Sequence, residues 1–228
     1  MSSSINGATS DHVPNRPFDG RGILMVVSSP SGGGKGTLIR SVLQTVPDVG
    51  YSVSYTTRAP REGEVNGKHY FFVSVEEFRE METAGKFLET AMVHGNLYAT
   101  SHARVEAEQA EGHDIILEID VQGADNVRRL VPDAVMVFVL PPSFEVLRER
   151  LKARGSERPN DLEVRLRNAR DEVSAYSRFD YIIINDDADR AANQLAAIIY
   201  AERARRERQQ DIARRVVATF ESRQTDGA

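Results

Sequence analysis

The chain of 228 residues contains no cysteine. A disulfide framework and a thiolate metal site are therefore excluded, and the absence fits a reducing compartment, so we expect a cytoplasmic protein. Long apolar runs are also missing. The longest, residues 134–140, is far shorter than the about 20 residues that cross a bilayer, and we expect no membrane association. Residues 2–19 lack the apolar segment of a secretory signal, and we interpret them as a disordered tail.

Basic residues are in the minority. The chain has 29 Lys and Arg against 34 Asp and Glu, which gives a formal net charge of −5, whereas a general nucleic-acid surface is basic. We therefore expect small-molecule partners and no nucleic acid. The hydrophobic and charged fractions, 40% and 28%, are ordinary for a globular protein, and the length supports one compact core with small insertions.

One dense motif lies near the N-terminus. An apolar run at 23–27 leads into a glycine-rich turn, and Lys35 follows at the start of a helical pattern. Successive N–H groups in such a turn, the positive end of a helix and a lysine together hold phosphate groups. We predict a nucleotide triphosphate site at consecutive residues: Ser31, Gly32, Gly33, Gly34, Lys35, Gly36 and Thr37.

The motif departs from the phosphate-loop pattern G-x-x-x-x-G-K-[ST] at both ends. Ser29 stands where the first glycine belongs, and Gly36 stands where the hydroxyl residue belongs. Thr37 follows Gly36 and is our candidate for the hydroxyl near a metal ion, which it would hold directly or through water. A flexible glycine linker is the alternative, but apolar residues recur at helical spacing over 38–46, which favours the loop.

Continuous apolar runs alternate with helical patterns along most of the chain. Such runs are typical of parallel strands that helices cover on both faces, so we predict an α/β fold. The predicted strands are 23–27, 115–119, 135–140 and 181–184, and the predicted helices are 38–46, 103–111, 144–153, 161–176 and 189–220.

Residues 52–100 have a different sequence pattern from the rest of the chain. Strand-like pieces at 51–56 and 70–73 and several glycine turns surround one short helix, which opens with the capping-box pair Ser74 and Glu77. We interpret this region as an inserted small α+β subdomain and residues 154–165 as a lid. The predicted organisation is a tail at 1–20, a core at 21–51 and 101–203, the insertion at 52–100, and a C-terminal helical extension and tail at 204–228.

Several separated segments of the chain resemble guanylate kinase. They are 52–70, 86–89, 95–98, 115–123 and 184–187, in the family's order, within a similarity that covers about residues 21–203. The resemblance implies a P-loop NTPase-type parallel sheet core flanked by helices, with an inserted GMP-binding subdomain and a short lid. It also implies that the protein transfers the γ-phosphoryl group of ATP to GMP, and to dGMP, with Mg²⁺ as cofactor.

The resemblance assigns the phosphate of GMP to Arg58, Arg61, Tyr70 and Tyr98. The chemistry agrees, because guanidinium and phenol groups donate hydrogen bonds and a phosphate monoester accepts them. The alternative is that the arginines are solvated turn residues and the tyrosines are core aromatics.

For the guanine base the resemblance implies Ser54, Glu89, Thr100 and Glu118. Guanine offers two donors beside an acceptor, so a carboxylate at Glu89 can accept both donors while the Ser54 hydroxyl donates to O6. Adenine would place an acceptor against that carboxylate and leave buried polar groups unpaired. An exposed charge at Glu89 is the alternative. Ala99 departs from the pattern, because the family usually has glycine there.

Asp120 follows an apolar run, where an acid commonly holds Mg²⁺ directly or through water. The resemblance also places it among the GMP-binding residues, and a simple helix cap is the alternative. Arg150, Arg154 and Arg165 are assigned to the ATP phosphates and Asn185 to the adenine, although arginines on a helix are often only solvated. The residues implied for catalysis are Lys35, Arg58, Arg154 and Arg165.

Two other functions remain open. Guanylate-kinase-like domains of scaffold proteins bind phosphorylated peptides without catalysis, but they typically lack the loop lysine and the lid arginines that this chain has. A kinase for another nucleoside monophosphate is the second alternative, because Lys35, Gly36 and Thr37 resemble the adenylate kinase loop. We expect the C-terminal helical extension to support a homodimer or a higher homo-oligomer.

Overall fold

The computed structural model of the chain describes residues 20–93, 95–153 and 159–221. Its strands are β1 (Leu24–Ser28), β2 (Val49–Tyr51), β3 (Tyr55–Thr56), β4 (Phe71–Phe72), β5 (Phe87–Val93), β6 (Asn96–Ser101), β7 (Asp114–Glu118), β8 (Val135–Leu140) and β9 (Tyr181–Ile184). Its helices are α1 (Lys35–Thr45), α2 (Val75–Thr83), α3 (His102–Ala110), α4 (Val121–Leu130), α5 (Phe144–Ala153), α6 (Pro159–Val173), α7 (Ala188–Arg203) and α8 (Arg206–Glu221).

A parallel sheet of five strands forms the centre of the fold, in the order β2-β7-β1-β8-β9. β1 is buried on both faces. Met25 packs on one side in a cluster that includes Leu195 of α7, and Val26 packs on the other with Val127 of α4. Because both faces are covered, the strand is apolar at every position. The α/β class predicted from these runs is confirmed.

A second sheet of four strands is built from residues between 55 and 101, in the order β4-β3-β6-β5. β3 pairs in parallel with β4 and antiparallel with β6. Phe78 of α2 is fully buried and packs with Leu97 and Ala99 of β6. Ser74 opens α2 by accepting a hydrogen bond from the N–H of Glu77, as the capping-box pattern predicts.

Several elements differ from the prediction, and β5 and β6 are strands that were not predicted. α4 was not predicted, because its buried face is formed by small residues, Gly123 and Ala124, and a single larger one, Val127. The predicted strand at 51–56 is wrong. Tyr51 belongs to β2 of the central sheet and Tyr55 to β3 of the second sheet, since the chain passes from one sheet to the other between them.

The C-terminal region also differs, because the helix predicted at 189–220 is two helices. α7 ends at Arg203, with Ala204 as its C-terminal cap, and the side chain of Gln209 donates a hydrogen bond to the carbonyl of Arg203 at 2.9 Å. α8 then exposes Val216 and Phe220, which are 52% and 70% accessible. Among the helices of the described residues, none combines the length and the apolar character that crossing a membrane requires.

Candidate active site

The glycine-rich turn between β1 and α1 forms an open cradle for an anion. Gly34 is the cap residue of α1, in the left-handed conformation with φ 91°, and no described side chain caps this helix. By contrast, a serine or aspartate side chain caps each of α2, α3, α4 and α7. The first turn of α1 carries no acidic residue either. Its N–H groups and its positive end are therefore available to an anion.

Lys35 extends from this loop toward the carboxyl end of β7. Its Nζ lies 3.8 Å from Oε1 of Glu118, and the Tyr51 hydroxyl donates to Oε2 of the same carboxylate at 3.4 Å. Burial, with the nearby Glu118 charge, raises the pKa of Tyr51, so its phenol stays protonated. A Cβ atom at Gly36 would lie 3.3 Å from Oε1 of Glu118. The glycine that departs from the loop pattern thus leaves room for this carboxylate.

A cavity of about 170 Å³ opens between the central sheet and the second sheet. Residues in or next to both sheets line it. Those on the side of the central sheet are Lys35 of α1 and Glu118, Ile119 and Asp120 at the end of β7, and those on the side of the second sheet are Ser54, Tyr70, Glu89, Ala91, Val93 and Tyr98. The loop lysine and most residues predicted to bind GMP therefore share one space. A larger groove of about 580 Å³, beside α3 and the end of α4, contains none of the predicted site residues.

Arg58 is held beside two tyrosines. Its Nη2 lies 2.8 Å from Oε1 of Glu64, its guanidinium carbon is 5.3 Å from the centre of the Tyr70 ring, and it also interacts with the hydroxyl of Tyr98. The hydrogen bond from Arg58 lowers the pKa of Glu64, and burial raises the pKa of Tyr70 to about 12. Arg61 is exposed, and its backbone N–H donates to Glu64 at 2.7 Å. Glu64, which was not predicted, thus orients Arg58.

Glu89 is a nearly buried carboxylate on the cavity wall, 5% exposed. Its Oε1 accepts a hydrogen bond from the Thr100 hydroxyl at 2.8 Å, whereas Oε2 has no partner among the described residues. Burial raises the pKa of Glu89 to about 7, and the charge of Asp120 adds to the rise. A Cβ atom at Gly123 would lie 2.9 Å from Oε2, so the glycine gives this oxygen its space. An unpaired buried acceptor points to a ligand that donates.

Successive side chains of β6 point to opposite faces of the second sheet. Tyr98 lines the cavity, and Thr100 contacts Glu89. Ala99, between them, is fully buried and packs against Phe78 beneath the sheet. Its methyl group therefore fills the small core of this sheet rather than the cavity.

Asp120 is a helix cap, the alternative given for it from the sequence, and it also faces the cavity. Its Oδ1 accepts a hydrogen bond from the N–H of Gly123 at 2.9 Å and caps α4, while the residue also lines the cavity. Burial raises the pKa of Asp120, and the Gly123 hydrogen bond acts in the opposite direction. As a metal ligand it stays a prediction.

Arg150 and Asn185, which are predicted for ATP, contact the phosphate loop or each other and are not part of the cavity lining. Arg150 donates from Nη2 to the carbonyl of Asn185 at 2.8 Å, and the Asn185 amide donates to the carbonyl of Gly33, also at 2.8 Å. Arg165 lies partly buried on α6. Arg154 falls outside the described residues, as does the start of the predicted lid at 154–158.

One contact of the loop was not predicted from the sequence. Oε2 of Glu172, near the end of α6, accepts a hydrogen bond from the N–H of Ser31 at 2.9 Å. The helix that carries Arg165 is therefore attached directly to the phosphate loop.

Comparison with known proteins decides the family. The family model described as guanylate kinase matches residues 21–202. The chain belongs to the guanylate kinase family. Guanylate kinase of Nitrosomonas europaea is 46% identical over 197 residues, which cover 86% of this chain and 98% of that protein. Guanylate kinase of Symbiobacterium thermophilum is 49% identical over 193 residues, 85% of this chain and 90% of that protein. The crystal structure of guanylate kinase from Anaplasma phagocytophilum superposes with a TM-score of 0.70 at 33% identity, covering 84% of this chain and 91% of the other.

Within this guanylate kinase fold, most of the residues predicted to bind GMP line the cavity, and the others lie beside it. Ser54, Tyr70, Glu89, Tyr98, Glu118 and Asp120 line the cavity. Thr100 and Arg58 contact that lining, and Arg61 is exposed at the neighbouring turn. Thr37 is exposed on α1, and its hydroxyl accepts a hydrogen bond from Arg40 at 3.2 Å. Its role toward a metal also stays a prediction.

Proposed function

We propose that this member of the guanylate kinase family transfers the γ-phosphoryl group of ATP to GMP, and to dGMP, with ADP and GDP or dGDP as products. The observation that carries the proposal is the shared cavity, which Lys35 enters from the phosphate loop while Glu89 and Tyr70 face it from the second sheet. A triphosphate on the loop and a nucleoside monophosphate in the cavity would meet at the lysine.

The acceptor phosphate is positioned by donors. Arg58, Tyr70 and Tyr98 present a guanidinium and two phenol hydroxyls on one side of the cavity, and Arg61 is a further donor at the neighbouring turn. A phosphate monoester accepts hydrogen bonds at every free oxygen, and its attacking oxygen is already anionic. The reaction therefore needs no general base. Its catalysis comes from alignment and charge neutralisation, with Lys35 on the donor phosphates and Arg165 among the residues proposed to act with it.

The base is selected by Glu89. The free Oε2, with the ionised carboxylate, would accept the N1–H and N2–H donors of guanine, and the Ser54 hydroxyl would donate to O6. Adenine places an acceptor where guanine has its N1–H donor. The resulting repulsion and unpaired buried groups would exclude AMP.

The described residues contain no group of three or more His, Asp or Glu that could hold a metal ion, so a divalent cation would be bound together with substrate. Glu118 and Asp120 line the cavity beside Lys35 and are the carboxylates available to it. Mg²⁺ is typically held by one or two carboxylates, substrate phosphates and water. Asp120 would hold the ion directly or through water, with Glu118 beside it and Thr37 reaching it from α1. When bound, the ion neutralises charge on the β- and γ-phosphates.

The organisation of the chain follows from the same proposal. Residues 52–100 would act as the GMP-binding unit on a core of 21–51 and 101–203, in a cytoplasmic enzyme with small-molecule substrates. The exposed Val216 and Phe220 of α8 are candidates for contact between copies of the chain. A monomeric mass by light scattering at micromolar concentration would contradict that contact.

A panel of acceptors tests the proposed function. The purified chain is incubated with ATP, Mg²⁺ and either GMP, dGMP, AMP, UMP or no acceptor, and ADP release is followed in a coupled assay. We expect rapid turnover with GMP and dGMP only. Equal rates with AMP would contradict the role of Glu89, and no turnover with any acceptor would contradict the phosphoryl transfer and favour a binding module.

A further inference from the structure

Asn185 occupies a position that an adenine contact does not explain. The residue follows β9 and is 4% exposed. Its backbone N–H donates to the carbonyl of Leu140 at 2.7 Å, and its own carbonyl accepts from Nη2 of Arg150 at 2.8 Å. Its side-chain Nδ2 donates to the carbonyl of Gly33 at 2.8 Å. The amide donor is therefore directed at the phosphate loop and already engaged there, whereas Oδ1 of the same amide has no hydrogen-bond partner among the described residues.

The contact with Gly33 controls the orientation of a peptide group. The peptide between Gly33 and Gly34 is trans, like every described peptide bond of the chain, so its C=O and N–H point in opposite directions. When Asn185 holds the Gly33 carbonyl on one side, the N–H of Gly34 must face the other side. On that side it would be able to donate to an anion bound at the cap of α1.

The loop is shaped to admit this amide. Gly34 has φ 91°, and a Cβ atom there would lie 2.3 Å from Nδ2 of Asn185. A side chain at this position would therefore be excluded twice, by the left-handed backbone and by the amide. Nη1 of Arg150 lies 3.9 Å from the same point and has no hydrogen-bond partner among the described residues. A guanidinium that is bonded through Nη2 and keeps an unpaired N–H group beside the cradle is suited to a phosphate.

We propose that Asn185 is a positioning residue of the donor site, which sets the Gly33–Gly34 peptide for phosphate binding and does not read the adenine base. Arg150 holds Asn185 in place through its carbonyl. This inference rests on the proposed phosphoryl transfer, and it has a consequence of its own. Loss of the amide weakens binding of any triphosphate by the same factor, whatever base the triphosphate carries.

The test distinguishes a role of Asn185 in the phosphate loop from recognition of the adenine base. Asn185→Asp places a carboxylate oxygen against the Gly33 carbonyl, and Asn185→Ser removes the reach of the side chain without adding charge. Asp186→Asn is the matched control, because Asp186 is exposed and pairs with Arg190. Dissociation constants are measured by calorimetry for ATP, for GTP and for inorganic triphosphate, which has no base. KM for GMP is measured in the coupled assay, and thermal unfolding reports the fold.

We expect both Asn185 variants to weaken the binding of ATP, GTP and inorganic triphosphate by a common factor of about 10 or more. This is the effect of losing a single buried hydrogen bond. KM for GMP should stay within about twofold, and the control should match the wild type. Weaker binding of ATP with unchanged binding of inorganic triphosphate would overturn the inference in favour of adenine recognition. An equal rise in KM for GMP and in the dissociation constant for triphosphate would overturn it in favour of a general structural role. If one variant does not fold, the other decides.

The outcome is independent of the proposed function. Binding of inorganic triphosphate requires no transfer, so an enzyme that failed with every acceptor would refute phosphoryl transfer to GMP and still report on Asn185. Conversely, wild-type turnover with GMP together with unaltered triphosphate binding in both variants would refute only the role of Asn185.

Discussion

Glu89→Gln should make the protein more stable at alkaline pH while it weakens GMP binding. The wild-type carboxyl has its pKa raised from 4.5 to about 7 by burial. The folded state therefore holds this proton more tightly than the unfolded state, and the free energy of unfolding falls as pH rises from about 4.5 to about 7. At about 1.4 kcal/mol per unit of pKa, the ionised carboxylate costs the fold about 3 kcal/mol above pH 7. Glutamine does not ionise, so the variant avoids this cost.

Urea unfolding at pH 5 and pH 8 measures the effect. The difference in unfolding free energy between Glu89→Gln and the wild type should move in favour of the variant by about 2 to 3 kcal/mol between these pH values. Glu80→Gln, at an exposed site on α2, is the matched control and should show no such trend. KM for GMP should rise about 10- to 100-fold in Glu89→Gln, because a charged acceptor for two guanine donors is lost. A stability difference that stays constant with pH would refute the reasoning.

Three further substitutions and one titration are predicted. Lys35→Ala should lower kcat by at least about 100-fold with an unchanged melting temperature; a rate near that of the wild type would remove Lys35 from the reaction. Gly123→Ala should raise KM for GMP and not for ATP, since the added methyl would lie 2.9 Å from Oε2 of Glu89, and parallel changes in both constants would argue against this. Gly36→Ser supplies the hydroxyl of the loop pattern if the Glu118 side chain shifts slightly to make room. Half-maximal activity should then need less Mg²⁺, whereas a fall in kcat at saturating Mg²⁺ would show that Glu118 cannot shift. Guanosine, which has no phosphate to titrate, should inhibit less well as pH falls below about 7 and Glu89 is protonated, a dependence that must vanish in Glu89→Gln.

The strands were predictable where packing leaves the clearest pattern. β8 is buried at all but its last position and is apolar throughout, and the predicted range 135–140 coincides with it. The predicted range 181–184 coincides with β9, an apolar edge strand in which Ile182 and Ile184 are exposed. α4 was missed because Gly123 and Ala124 form much of its buried face, and such small residues give little helical periodicity. β2 was missed because a strand of 3 residues at the edge of the sheet has too few positions to form a pattern.

The site was predictable where its residues form local motifs. The phosphate loop is one continuous segment, and the residues that surround Glu89 came from segments that resemble the family. The contacts that orient these residues are long-range and have no local signal. Glu172 and Ser31 are separated by 141 positions, and Asn185 and Gly33 by 152. Glu64 is the exception, because it lies only 6 positions after Arg58, within the turn that the sequence had already marked.

We propose that a donor triphosphate and a guanine monophosphate bind on opposite sides of one cavity and meet at Lys35. The most direct measurement uses an inhibitor in which adenosine and guanosine are joined by a chain of five phosphates, which spans both sites. Its inhibition constant is determined against ATP and, separately, against GMP. The account predicts competition with both substrates and binding at least about 100-fold tighter than that of either alone. Competition with only one substrate, at an affinity no better than that substrate's own, would contradict it.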